Sequence, residues 1–217
     1  MTPELKKILK GTGLLSDNKI DLGFIDSGSY ALNKVISGKY DGGYPIGGIT
    51  EIIGESSVGK TGFLTHLFKE AQAKGYICAL ADNEFAYSEP FARQLGVDSE
   101  SLVYFDPSKI DTATKCFSEM KAFIEKVRKV DEETPIVIAL DSLGTMQSTE
   151  EGVKGMGEGS NMDGAIRAKE IGGLLRKFNP ILRAKKVCAV FINQYRSKAG
   201  VVMGDPRTRA GGGKALE

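Results

Sequence analysis

Gly54-Glu55-Ser56-Ser57-Val58-Gly59-Lys60-Thr61 fits, without a mismatch, the GxxxxGK[ST] spacing of a phosphate-cradling loop. Chemistry at such a loop is electrostatic. Backbone N–H groups of the glycine-bearing turn and of the following helix point at the β- and γ-phosphates, and the helix macrodipole adds about half a positive charge. Lys60 adds a full charge, Thr61 offers a hydroxyl to a Mg²⁺ bridging the phosphates, and Gly62 continues the first helical turn. The stretch Gly54–Gly62 is therefore the expected site of a nucleoside triphosphate with its magnesium ion.

Three further groups stand where such a site needs them. Asp141 directly follows the apolar run Ile136–Leu140, a Walker B arrangement in which a carboxylate faces the metal opposite Thr61. Asp82 and Glu84 follow the run Tyr76–Ala81, and an acid there can position the water that attacks the γ-phosphate; spacing alone does not choose between the two. Asn193-Gln194 follows Val187–Ile192, and a neutral amide in that place can hydrogen-bond a γ-phosphate and report its presence.

The elements that must position these groups are legible as alternating strands and helices. Strand-like runs at Ile49–Ile53, Tyr76–Ala81, Leu102–Phe105, Ile136–Leu140 and Val187–Ile192 alternate with helical patterns near 60–74, 90–95, 111–129 and 163–185. That alternation predicts an α/β fold: a mostly parallel central sheet with helices on both faces, and ligands at the carboxyl ends of the strands. The fourth and fifth runs are continuously apolar, as strands buried on both faces are. Glycine-rich segments at Gly38–Gly48 and Gly152–Gly159 read as tight turns and as a loop beside the site.

The chain has 217 residues, 41% hydrophobic and 26% charged, which suits one large globular domain. It contains no apolar run of spanning length and no signal-peptide pattern, so a cytoplasmic protein without membrane partners is expected. Cys78, Cys116 and Cys188 read as buried thiols, and His66 as a packing residue. Net charge is +1 overall, but from Arg176 onward ten Lys or Arg face only Asp205 and Glu217. This basic end suits an anionic partner such as nucleic acid.

Taken in order, these segments resemble the RecA-type recombinases, the bacterial RecA proteins and their phage UvsX relatives. The resemblance is carried by Gly28-Ser29, Gly47–Gly54, the phosphate loop, Asp82-Asn83-Glu84, Phe91–Asp98, Ile138–Ser142, Phe191–Arg196 and Gly211–Leu216. It implies a RecA-like P-loop core over residues 28–217, preceded by a short segment, 1–27, in which Leu5, Ile8 and Leu9 suggest one amphipathic helix with an oligomerisation role. By the same resemblance Glu84 is the catalytic glutamate, Gln194 the γ-phosphate sensor and Phe91 the aromatic stacked on adenine. Without it, Phe91 reads as core.

The resemblance also assigns two DNA-binding segments. Glu151–Asn161 is similar to the first, with Arg167 and Arg176 on the following helix as basic contacts. Tyr195–Ala210 is similar to the second, where Arg196, Lys198, Arg207 and Arg209 neutralise phosphates and Val202 and Met203, with Val201, wedge between bases. The family's wedge is typically bulkier and aromatic, and its members continue beyond the position of Glu217. The expectation is thus a DNA-dependent ATPase that uses ATP and Mg²⁺, forms a filament on single-stranded DNA, and promotes pairing and strand exchange with double-stranded DNA in recombination and repair. Two rivals share the nucleotide machinery: a RecA-fold helicase-type motor, and a regulator that binds nucleotide or DNA without turnover.

Overall fold

A computed structural model describes residues 2–12, 21–154, 162–197 and 207–209. Helix α1 (Pro3–Thr12) is followed by β1 (Phe24–Ile25), α2 (Tyr30–Ser37), β2 (Tyr44–Pro45) and β3 (Gly48–Gly54). Next come α3 (Lys60–Ala73), β4 (Ile77–Asp82), α4 (Glu89–Leu95), β5 (Leu102–Tyr104) and α5 (Ala113–Arg128). Then follow β6 (Ile136–Asp141), the one-turn α6 (Thr149–Gly152), α7 (Asp163–Ala184), β7 (Val187–Ser197) and β8 (Arg207–Arg209).

Five strands form a parallel sheet in the order β3-β7-β6-β4-β5, as the α/β alternation predicts. Every residue of β6 is buried, which is why its sequence is apolar without alternation. On one face Met120 and Ile124 of α5 and Leu175 and Phe178 of α7 pack against Ile138, Leu140 and Phe191. Phe117 meets Phe178 and Phe191 edge-on, with ring centroids 5.2 and 5.9 Å apart. On the other face Leu64, Leu67 and Phe68 of α3 cover Leu80, Val137, Ala139 and Val190.

Local chemistry sets where these elements start and stop. The side chains of Ser29, Ser88 and Thr112 cap α2, α4 and α5, while Gly38 and Gly96 end α2 and α4 in the left-handed conformation. Gly43 holds φ at +129°, and a Cβ there would sit 2.1 Å from the Ile25 carbonyl oxygen, so the β1–β2 ladder requires glycine. The Arg128 guanidinium donates to the carbonyls of Asp131, Thr134 and Lys185, tying the end of α5 to the turn that enters β7.

Two expectations need adjustment. β7 does not end at Ile192 but runs through Asn193 and Gln194 to Ser197, paired with β3 as far as Gly54↔Gln194 and then antiparallel with β8. Tyr195 and Arg196 therefore begin the second basic segment as strand rather than loop. His66 lies on the exposed face of α3 instead of packing inside, because Leu64, Leu67 and Phe68 already fill the inward positions. All three cysteines are buried thiols.

Candidate functional site

The phosphate loop joins β3 to α3, the context its sequence requires. Ser57 and Gly59 take φ of +62° and +90° between β3 and the first turn of α3, and departures of this kind fold successive amides into an anion-binding concavity. A Cβ on Gly54 would lie 3.1 Å from Val58 Cγ2 and 3.6 Å from Lys60 Cδ, so the lysine stem occupies space that glycine leaves open. Lys60 is 8% exposed, and its Nζ donates to the carbonyls of Gly54 (3.2 Å) and Glu55 (2.6 Å). Among the described residues no carboxylate forms a salt bridge with it. A buried ammonium held by carbonyl dipoles, with no carboxylate in contact among the described residues, retains the capacity to take up an anion.

The end of β6 brings Asp141 to this lysine's neighbour. Thr61 Oγ1 donates to Asp141 Oδ2 at 2.7 Å. Burial pushes the Asp141 carboxyl up to about 6, with the Thr61 hydrogen bond acting against that rise. A hydroxyl and a carboxylate brought this close are hard oxygen donors of the kind Mg²⁺ prefers. Among the described residues no cluster of three His, Cys, Asp or Glu side chains is assembled as a metal cage.

Beyond β4 the two acids divide in geometry. Asp82 is 1% exposed, and its carboxylate accepts from the backbone N–H groups of Glu84 (3.2 Å), Ala86 (3.2 Å) and Tyr87 (3.1 Å). Both oxygens are thus engaged in folding the turn in which Phe85 holds φ at +55°. Glu84 is half-buried, and its Oε1 accepts from Gln194 Nε2 at 2.8 Å and from the Ser142 hydroxyl. Its backbone N–H, with that of Asn83, is anchored on the Asp141 carbonyl.

Gln194 reaches Glu84 from β7, directly opposite Gly54 in the β3 register. Asn193 steadies it: Nδ2 donates to Glu51 Oε1 at 2.7 Å, and Oδ1 accepts from the Gln194 N–H at 2.9 Å. The phosphate loop, Thr61, Asp141, Glu84 and Gln194 thus converge at the carboxyl ends of four adjacent strands, β3, β7, β6 and β4. Phe91 stands apart on α4. It is 49% exposed, which removes it from the core.

The basic residues are less uniform. Arg176 is exposed on α7, whereas Arg167 is held by Glu151 in a two-point ion pair, Nη2–Oε1 at 2.6 Å and Nε–Oε2 at 3.1 Å. Arg196 lies in β7 opposite Thr208, and Arg207 and Arg209 lie in β8 opposite Ser197 and Tyr195. Lys198, Val202 and Met203, with most of the glycine-rich stretch after Gly152, fall outside the described residues.

Sequence reasoning gave no role to Ser142, did not pair Asn193 with Glu51, and did not pair Glu151 with Arg167. The Glu151 signal was available as Ser148-Thr149-Glu150-Glu151, a capping-box spacing that the structure realises. Ser142 and Asn193 act through partners 58 and 142 residues away, which no local pattern reveals.

No helix among the described residues is long and apolar enough to cross a membrane. Residues 6–217 match the RecA N-terminal domain family. The chain is similar to Protein RecA of Mesoplasma florum, 33% identical over 89% of this chain and 54% of that protein. It is also similar to Protein RecA of Cutibacterium acnes, 35% identical over 89% and 51%, and of Rhodopirellula baltica, 34% identical over 91% and 48%. It spans about half the length of these curated relatives. With the family match running through the phosphate loop and all four strand ends that converge on it, the chain belongs to the RecA family.

Proposed function

We propose that this chain is the ATP-hydrolysing, DNA-binding core of a RecA-type recombinase, acting in the cytoplasm as a filament on single-stranded DNA and exchanging strands with a duplex. The observation that carries this reading is the hydrogen bond between Gln194 and Glu84, because it joins a candidate base to a strand that continues into the basic segment.

In this scheme Lys60 leaves the carbonyls of Gly54 and Glu55 and gives its charge to the phosphates. Thr61 and Asp141 would hold Mg²⁺, which when bound neutralises phosphate charge as it develops. Glu84 orients a water and accepts its proton. Gln194 exchanges its bond to Glu84 for one to the γ-phosphate, which frees Glu84 and shifts the backbone of β7. Because β7 runs without interruption from Gln194 to Ser197, that shift reaches Arg196 and, through the ladder, Arg207 and Arg209. Phe91 offers an apolar ring to the base. Hydrolysis then loosens the DNA.

Lys60→Ala tests the scheme. It should abolish nucleotide-dependent binding to a single-stranded oligonucleotide, measured by fluorescence anisotropy with and without ATP. ATP-stimulated filament formation at the native level in this variant would overturn the proposal.

A further inference from the structure

Glu151 does two things with one carboxylate. Its Oε2 accepts from the Ser148 N–H at 2.7 Å while its own N–H donates to Ser148 Oγ at 3.2 Å, closing the capping box of α6. The same carboxylate takes both prongs of the Arg167 guanidinium from the first turns of α7. The two side chains are only 14% and 16% exposed, unlike the helix-face pairs Arg93–Glu89 and Lys115–Asp111, which are half open to solvent. Neighbouring charges are already engaged: Glu170 accepts from Thr114 and Thr149, and Lys154 pairs with Asp163. Burial alone would raise the Glu151 carboxyl, but the Ser148 amide and the Arg167 guanidinium outweigh it and hold it below the usual carboxylate range.

A carboxylate forked onto a guanidinium presents the same pair of acceptor oxygens that a phosphodiester would. The fork of Arg167 is thus already filled within the protein itself. We infer that Glu151 is a positioning residue that stands in for a DNA phosphate at Arg167, so that a strand must compete with an internal carboxylate for that guanidinium. The inference rests on the DNA-binding function proposed above and adds a competitor inside that surface. Its signature is electrostatic. An arginine neutralised from within contributes little to counterion release, and one set free adds about 0.7 to the salt slope on a single strand.

The test is anisotropy of a labelled oligo-dT with a non-hydrolysable ATP analogue, from about 50 to about 200 mM salt, a range over which phosphate contacts dominate affinity. Glu151→Gln keeps the cap, since glutamine serves at the same capping position, but removes the charge. It should bind severalfold more tightly, with a log–log slope steeper by about 0.7. Glu150→Gln, next in the chain and exposed, controls for the loss of one negative charge and should leave the slope unchanged. In an Arg167→Ala background, Glu151→Gln should have no effect on slope. Equal slopes for the native chain and Glu151→Gln, with both binding, overturn the inference alone; so does a gain that persists without Arg167. Failure of every chain to bind overturns it together with the DNA-binding proposal.

Discussion

Removing the Asp82 carboxylate should damage the fold, whereas removing the Glu84 carboxylate should damage the chemistry, although the two acids are two residues apart. In Asp82→Ala three backbone N–H groups, those of Glu84, Ala86 and Tyr87, lose a side-chain acceptor at 3.1–3.2 Å, and only that of Glu84 keeps another, the Asp141 carbonyl. Hydrogen bonds to charged groups contribute about 1.5–3 kcal/mol each, but this turn is partly exposed and water recovers part of each loss, leaving about 1 kcal/mol per bond. The expected cost is about 2–3 kcal/mol, or a Tm lower by roughly 4–12 °C in a domain of this size. Glu84→Gln keeps an acceptor oxygen for Gln194 and Ser142, so its stability should stay within about 0.5 kcal/mol of native. Its hydrolysis rate should fall by about 100-fold or more, the usual loss of a general base. Circular-dichroism melts and single-stranded-DNA-stimulated ATP hydrolysis, measured on the same preparations, separate the two. An Asp82→Ala chain that melts with the native one, or a Glu84→Gln chain that hydrolyses at the native rate, refutes this division of roles.

Phe91→Ala removes a ring that is half exposed, so it should leave the melt nearly unchanged while weakening binding of a fluorescent ATP analogue by about 5- to 150-fold, the equivalent of about 1–3 kcal/mol of base stacking. Unaltered nucleotide affinity would show that the base lies elsewhere. Burial pushes the Cys78 thiol up to about 12 and those of Cys116 and Cys188 higher still, so all three stay protonated at neutral pH. A disulfide exchange reagent should therefore label none in the native chain and all three in denaturant, and rapid labelling of any one before unfolding would contradict the packing described.

The middle of the sheet was legible because β6 and the first half of β7 are buried on both faces. Ile136–Leu140 and Val187–Ile192 have no polar partner to place, so their apolar runs mark them at once. The polar end of β7 was not. Asn193-Gln194-Tyr195-Arg196-Ser197 has the composition of a loop and becomes strand because β3, far away in the chain, and β8 supply its ladder partners. Helix α2 was missed for a related reason. Tyr30 and Val35 are 76% and 81% exposed, which blurs the apolar stripe that a helical period needs. In the site, spacing brought out Lys60, Thr61 and Asp141, whose placement follows from a loop and a strand end. The proposal of Glu84 rather than Asp82 as the base draws on the family resemblance and on the hydrogen bonds, because either acid follows the strand equally well.

The adjacency of β3, β7, β6 and β4 makes this site a matter of counting. Neighbouring strands lie about 4.8 Å apart, and each residue along a strand advances about 3.3 Å and turns its side chain to the opposite face. Gln194 meets Glu84, and Asp141 meets Thr61, only while Gly54 stays opposite Gln194 and Asp82 opposite Asp141. A deletion of one residue within β6 would leave its apolar character intact and still carry Asp141 away from Thr61. Substitution can wander along these strands, whereas insertion and deletion must fall in the connections at their amino ends, such as the exposed turn around Val130. The end of the sheet that carries the candidate site is thus held by the number of residues in each strand before it is held by their kind.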